Sequence, residues 1–112
     1  MGRVIVSCLD DTDGIELSSA TEACGNPHIG TDAGKLAGAK ESDVIICTDL
    51  DSAVSKCDVI IDFTVPEVTM ESFRYALQLN KAIVIGTTGF DEGQRKEIHN
   101  AAKKIRCVLA PN

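Results

Sequence analysis

No stretch of this sequence stays apolar for anything near the ~20 residues that a bilayer-crossing helix needs, and no apolar core of a signal peptide occurs. Basic residues never cluster beyond the pair Lys103-Lys104, and the formal net charge is −6. A membrane-bound protein and a nucleic-acid partner are therefore not expected. The Cys-x-x-Cys spacing is missing too. The five cysteines, Cys8, Cys24, Cys47, Cys57 and Cys107, are odd in number, which indicates neither a disulfide framework nor a zinc knuckle. Read as reduced thiols, with Cys47 and Cys107 serving as small hydrophobes in apolar runs, they point to a cytoplasmic home. His28 and His99 have no Cys, Asp or His at ligand spacing, so no metal is expected. No nucleophile stands beside a base, and there is neither an internal repeat nor a low-complexity tract.

What is present is the composition of one globular domain: 112 residues, 44% of them apolar. That length holds a core but is small for an enzyme with separate cofactor and substrate domains. The chain is organised around Asp58-Val59-Ile60-Ile61-Asp62-Phe63-Thr64 and its echo Ala82-Ile83-Val84-Ile85-Gly86-Thr87-Thr88-Gly89. Each is a β-branched run without polar alternation, which reads as a strand buried on both faces of a parallel sheet. A helix from Val65 to Asn80 lies between them, so strand, crossover and strand follow in order. Thr64-x-x-Glu67 reads as a capping box with Pro66 in the first turn, and Phe73, Ala76 and Leu77 supply the buried stripe. Asp91-x-x-Gln94 opens a second helix, with Ile98, Ala101, Ala102 and Ile105 on its apolar side, and Arg106 to Ala110 reads as a last strand.

The first half is less patterned. Arg3 to Cys8 has strand composition, yet Val4, Ile5, Cys8 and Leu9 share one helical face, so both readings stand. Asp10 to Gly14 is turn chemistry. Ile15 to Thr21 reads as a strand, Cys24 to Thr31 as loop, and Asp32 to Gly38 as irregular. Val44 to Cys47 reads as a short strand, and a small helix follows near Asp49 to Ser55. The alternation gives an α/β class with a parallel sheet of five segments.

In such a sheet the carboxyl ends of the strands form the rim where ligands bind. Glu22, Thr48, Phe63-Thr64, Gly86-Thr87-Thr88 and Ala110-Pro111-Asn112 would emerge there. Glu22 follows Gly2 by about 20 residues, the spacing of the acid that bonds an adenosine ribose. A solvated Glu at a strand end explains the spacing as well. Gly86-Thr87-Thr88-Gly89 offers close backbone approach and two uncharged hydroxyls, suited to a carboxamide or carboxylate oxygen, or else an ordinary helix-capping turn. Asp62 reads either as catalytic or as a buried acid satisfied by loop N–H groups.

At these residues the chain resembles the N-terminal, dinucleotide-binding domain of the dihydrodipicolinate reductase (4-hydroxy-tetrahydrodipicolinate reductase) family. The resemblance is carried by Met1-Gly2-Arg3, Gly30-Thr31-Asp32-Ala33-Gly34-x-Leu36-Ala37-Gly38, Asp62-Phe63-Thr64-x-Pro66-Glu67, Val84-Ile85-Gly86-Thr87-Thr88-Gly89-Phe90 and Ala110-Pro111-Asn112, and runs end to end. It implies a Rossmann-like doubly wound sheet and a helix, not a strand, at Arg3 to Leu9. It implies hydride transfer from NADH or NADPH to a cyclic dicarboxylate, with loss of water, in lysine and diaminopimelate biosynthesis. Cofactor-binding positions carried over are Gly2 and Arg3 at the phosphate loop, Glu22 at the ribose, and Phe63, Thr64, Gly86, Thr87, Thr88, Ala110 and Asn112 around the nicotinamide. Thr88 is also carried over as substrate-binding.

The departures shape the expectation. The family's first strand, with two further glycines, precedes the residue corresponding to Met1, and its His-His and Lys motif, Ser-Gly-Thr loop and substrate domain have no counterpart here. Residues 1–112 are thus expected to be a partial dinucleotide-binding domain, not competent alone, from a family whose full-length members are homotetramers. Ala23 and Val65 stand where relatives often carry Arg; without a guanidinium at Ala23 to meet a 2′-phosphate, NADH is expected over NADPH. Two other readings stand beside this one: a phosphorelay receiver-like domain using Asp10-Asp11, Asp62 and Thr87, and a non-catalytic nucleotide-binding remnant.

Overall fold

The computed structural model describes residues 1–110 and divides into two compact units, Met1–Lys56 and the chain from Cys57 onward. Pro111 and Asn112 lie outside the described residues.

The second unit is a parallel sheet in the order β1 (Val59–Asp62), β2 (Ala82–Ile85), β3 (Cys107–Leu109). Helix α4 (Pro66–Leu79) crosses from β1 to β2, and α5 (Glu92–Ala101) with a 3-10 turn over Ala102–Lys104 leads from β2 to β3. The first unit contains α1 (Gly2–Asp10), α2 (Ala33–Leu36) and α3 (Leu50–Ser55). The register pairs Ile60 with Ile83 and Asp62 with Ile85, then Ile83 with Cys107 and Ile85 with Leu109. Strand pleating puts these residues on one face, where Met70, Phe73 and Ala76 of α4, Phe90, and Ile98 of α5 close a core. Burying each large side chain contributes roughly 1.5–3 kcal/mol.

The expectation of strands buried on both faces is corrected here. Val59, Ile61 and Val108, on the face turned away from that core, are 50%, 43% and 55% exposed. Both helices of the unit pack on the core face, and a residue run without alternation does not itself reveal which side is covered.

The Thr64-x-x-Glu67 capping box is also corrected. Steric clash with the proline ring bars Val65 from helical dihedrals, and it sits extended at φ −117 and ψ 158. Val65 is therefore the N-cap, Pro66 the first helical residue, and the Thr64 hydroxyl is left for other partners. Asn80 ends α4 in the left-handed region, its N–H bonded to the Ala76 carbonyl. At α5 the reciprocal box forms as read: Asp91 accepts from the Gln94 N–H, and the Gln94 side chain accepts from the Asp91 N–H.

The first unit opens with α1 (Gly2–Asp10), the helix that the resemblance implies, and none of its residues is buried. Ile15 to Thr21 does not form a strand. It touches the Val44–Cys47 segment through one parallel bridge, Thr21 to Cys47, while Ile45 bridges Asp32 in the antiparallel sense. Val44–Cys47 thus divides its backbone bonds between two partners, Ala20 and Glu22 on one side and Gly30, Thr31 and Ala33 on the other, and no continuous ladder builds. The expected five-segment sheet is therefore three strands and two bridged segments among the described residues.

Asp32 to Gly38 is not irregular either: α2 (Ala33–Leu36) forms because the Asp32 carboxylate caps the Lys35 N–H. Gly34 is required by packing, since a Cβ there would meet the Lys40 carbonyl. Asp49 caps α3 (Leu50–Ser55) in the same way, and its Ala53 and Val54 are buried.

Candidate functional site

In the first unit, a chain of hydrogen bonds joins the candidate residues at the start of α1 to Glu22. The Arg3 guanidinium donates to His28 Nε2 at 3.1 Å, which makes that nitrogen the acceptor because guanidinium has no lone pair to offer. The His28 backbone N–H donates to Asn26 Oδ1 at 2.8 Å, and Asn26 Nδ2 donates to Glu22 Oε2 at 3.3 Å. Gly2, Arg3 and Glu22 are all exposed, so each can meet a ligand. The first amides of α1 lack intrahelical partners by construction and point out of its N-terminus, an arrangement suited to phosphate. His28 therefore works here as a hydrogen-bonded link between candidate residues, a role its sequence neighbours did not signal.

In the second unit, the turns after β1 and β2 meet at the carboxyl end of the sheet. The Gly86 N–H donates to the Asp62 carbonyl at 2.8 Å, and the Ala110 N–H donates to the Ile85 carbonyl at 2.9 Å. Phe63, Gly86 and Ala110 are thus brought to one edge by the strand register. The Phe63 ring lies where a Gly86 side chain would be, so the glycine lets the ring rest against backbone.

Asp62 is 4% exposed, and its Oδ1 is the hub of the junction. It accepts from the Thr64 N–H at 3.0 Å, the Thr64 hydroxyl at 2.6 Å, the Thr69 hydroxyl at 3.0 Å and the Thr87 hydroxyl at 3.3 Å. Thr87 Oγ1 in turn accepts from the Thr64 N–H at 3.0 Å and from Thr69 at 2.8 Å. Thr69 itself is fully buried. Among the described residues no buried side-chain oxygen or nitrogen lacks a partner.

The two threonines of the Gly86–Gly89 turn therefore differ. Thr87 is 3% exposed and its hydroxyl faces inward, while Thr88 is exposed. Thr64 is exposed as well, though its hydroxyl is engaged by Asp62. Of the two readings of Asp62, the geometry gives the buried acid satisfied by loop groups. The candidate position Asn112 lies outside the described residues. Thr69 was missed by sequence reading, where it counted only as one residue of a helix; a hydroxyl three residues past Pro66, on the side of the buried stripe, was the available signal.

Elsewhere, Asp32, Glu41 and Asp43 bring three carboxylates within 4.8 Å of one another. Asp32 is committed to backbone N–H groups and Glu41 pairs with Lys35 at 3.2 Å. Burial pushes the half-buried Cys57 and Cys107 thiols up, the reverse of an activated nucleophile. A concavity of about 710 Å³ opens at the amino end of the sheet, between Asp58, Lys81, Lys103, Lys104 and Arg106, and shares no residue with the rim. Among the described residues no helix is long and apolar enough to cross a membrane.

A family model described as the N-terminus of dihydrodipicolinate reductase matches residues 1–112. The 4-hydroxy-tetrahydrodipicolinate reductases of Syntrophotalea carbinolica and Geotalea daltonii are 41% and 43% identical over 112 residues, covering 100% of this chain and 42% of each of theirs. Dipicolinate-bound dihydrodipicolinate reductase from Paenisporosarcina sp. TG-14 matches with a TM-score of 0.72 at 25% identity, over 100% of this chain and 44% of that one. The chain thus spans less than half the length of the relatives it matches. The phosphorelay reading is not favoured: these matches oppose it, and the carboxylate it needs exposed is buried among threonines.

Proposed function

Since the chain belongs to the dihydrodipicolinate reductase family, with the Rossmann-like α/β fold of that family's N-terminal domain, we propose that it is the NADH- or NADPH-binding portion of a reductase acting on a cyclic dicarboxylate. The full-length protein would then serve lysine and diaminopimelate biosynthesis as a cytoplasmic homotetramer, with residues 1–112 its dinucleotide-binding part. Bound cofactor supplies the hydride.

The observation that carries this reading is the rim of the second unit. An aromatic ring packed against a glycine backbone, with an exposed threonine in the same turn, suits a planar ring bearing a carboxamide. In this reading Phe63, Thr64, Gly86, Thr87, Thr88 and Ala110 form the nicotinamide wall, Thr87 by holding the turn and Thr88 by reaching the substrate as well. Asn112 completes the wall by resemblance alone. Gly2 and Arg3 take the pyrophosphate at the α1 N-terminus, where exposed amides and a guanidinium favour anions. Glu22 accepts from the adenosine ribose hydroxyls. A 2′-phosphate would bring a dianion against the Glu22 carboxylate, with the neutral Ala23 next to it, and this supports NADH as the preferred donor.

Calorimetric titration of the full-length protein tests the reading. NADH is expected to bind with Kd of about 1 μM or tighter, and NADPH about tenfold more weakly. NADH oxidation is expected to depend on the cyclic dicarboxylate. Failure of both nucleotides to bind would remove the proposed function, and tighter binding of NADPH would remove the preference alone.

A further inference from the structure

We propose that Thr69, which no ligand can touch, is a positioning residue for the rim; the proposal rests on the reductase reading above. Thr69 lies in the first turn of α4 and is 0% exposed. A hydroxyl in an apolar core is unfavourable unless it is hydrogen-bonded, and Val would fill the same volume without that penalty. Threonines inside helices commonly bond a carbonyl of the preceding turn. The Thr69 hydroxyl reaches across the sheet edge instead.

Its partners are Thr64 Oγ1 at 3.2 Å and Asp62 Oδ1 at 3.0 Å from the turn after β1, and Thr87 Oγ1 at 2.8 Å from the turn after β2. One helical side chain thus ties both turns together from behind. Its single proton goes to Asp62 or to Thr87 at any moment, and the Thr87 proton then completes the set toward Asp62 or toward Thr69. Either way Thr87 is held inward, so the next peptide carries Thr88 outward. The Thr64 N–H, shared by Asp62 and Thr87, is fixed by the same junction. Removing the Thr69 hydroxyl leaves the helix and the core in place and loosens the angle between the two turns. A reacting geometry is sensitive to such a change: a displacement of ~1 Å from a distant substitution lowers rates about 100-fold.

The test uses Thr69→Val, Thr69→Ala and Thr69→Ser in the full-length protein, with Ala as the helix-favouring variant should Val fail to fold. Val or Ala is expected to lower kcat about tenfold or more while the KM for NADH stays within about threefold, and Ser is expected to restore kcat to within about threefold of wild type. Amide exchange at Thr64, whose N–H is held by Asp62 and Thr87, is expected to quicken in Val or Ala and to return to normal in Ser. Wild-type kcat in a folded Val or Ala variant overturns the proposal, as does a Ser variant that rescues neither rate nor exchange. If wild type binds and oxidises NADH while these substitutions are silent, only the Thr69 role fails. A wild-type protein that neither binds nor oxidises NADH or NADPH removes both.

Discussion

At the scale of single residues the clearest dependence is between Gly86 and Phe63. Gly86 is buried and donates its N–H to the Asp62 carbonyl, so its backbone cannot withdraw from the strand edge. A methyl group added there would occupy the space of the Phe63 ring. Gly86→Ala is therefore expected to destabilise the fold by about 1–3 kcal/mol, the usual range for overpacking. Urea denaturation of the single and double variants separates the cause. Adding Phe63→Ala to Gly86→Ala should recover part of the loss, with a coupling above about 0.5 kcal/mol because the two residues are in contact. Additive effects would show that the ring is not what demands glycine. The sequence suggested glycine here for close approach of a ligand to the backbone. The structure adds that it is the protein's own Phe63 ring that makes this approach.

At the scale of elements, what was legible followed from local rules, and what was not depended on partners distant in the chain. Asp91 and Gln94 sit three residues apart in one turn, and their box formed as read. Thr64 and Glu67 obey the same pattern, but Pro66 moves the helix start by one residue and Asp62 claims the hydroxyl. Strands β1 to β3 were visible because parallel strands need continuous apolar runs, whereas Ile15–Thr21 has apolar residues and only one bridge to pair with. Asp32 shows the long-range case most plainly. Its carboxylate caps α2 and also accepts from Ser42 and Asp43, ten and eleven residues on, so it staples a helix to the following turn. The Ser42 backbone N–H foremost, against the opposing pull of burial and with help from Lys35, the Ser42 hydroxyl and Asp43, holds its pKa down from 3.8 to about 2. A depressed carboxylate pKa stabilises the fold above the ordinary value, and that contribution disappears as pH falls through the folded one. Thermal midpoints of wild type and Asp32→Asn should therefore differ most above about pH 4 and converge as pH drops toward about 2. A gap that stays constant from pH 6 to pH 2 would contradict the staple.

At the scale of the whole molecule, the two units are stabilised very unequally. The hydrophobic cluster of Met70, Phe73, Ala76, Ile83, Ile85, Phe90 and Ile98 lies wholly after Cys57. The first unit buries only Ala33, Ile46, Ala53 and Val54 among its apolar residues, and α1 buries none. Its order rests on side-chain caps and on the hydrogen bonds that the Asp32 carboxylate accepts, with little buried apolar surface beside them. Local opening free energy follows buried apolar contact, so amide exchange in the 112-residue chain is expected to be slowest in β2 and α4 and fastest from Gly2 to Gly30. Nearly equal protection in the two halves would mean that the first unit is held by more than its own contacts. The inequality also bears on function, because the proposed pyrophosphate and ribose contacts, Gly2, Arg3 and Glu22, all lie in the weakly held unit. Nicotinamide contacts lie in the firmly held one. A dinucleotide that binds those contacts only when folded stabilises them by mass action. Adding saturating NADH should therefore slow exchange in Gly2 to Gly30 more than in β2 and α4, and an opposite ranking would place the adenosine half of the cofactor somewhere else.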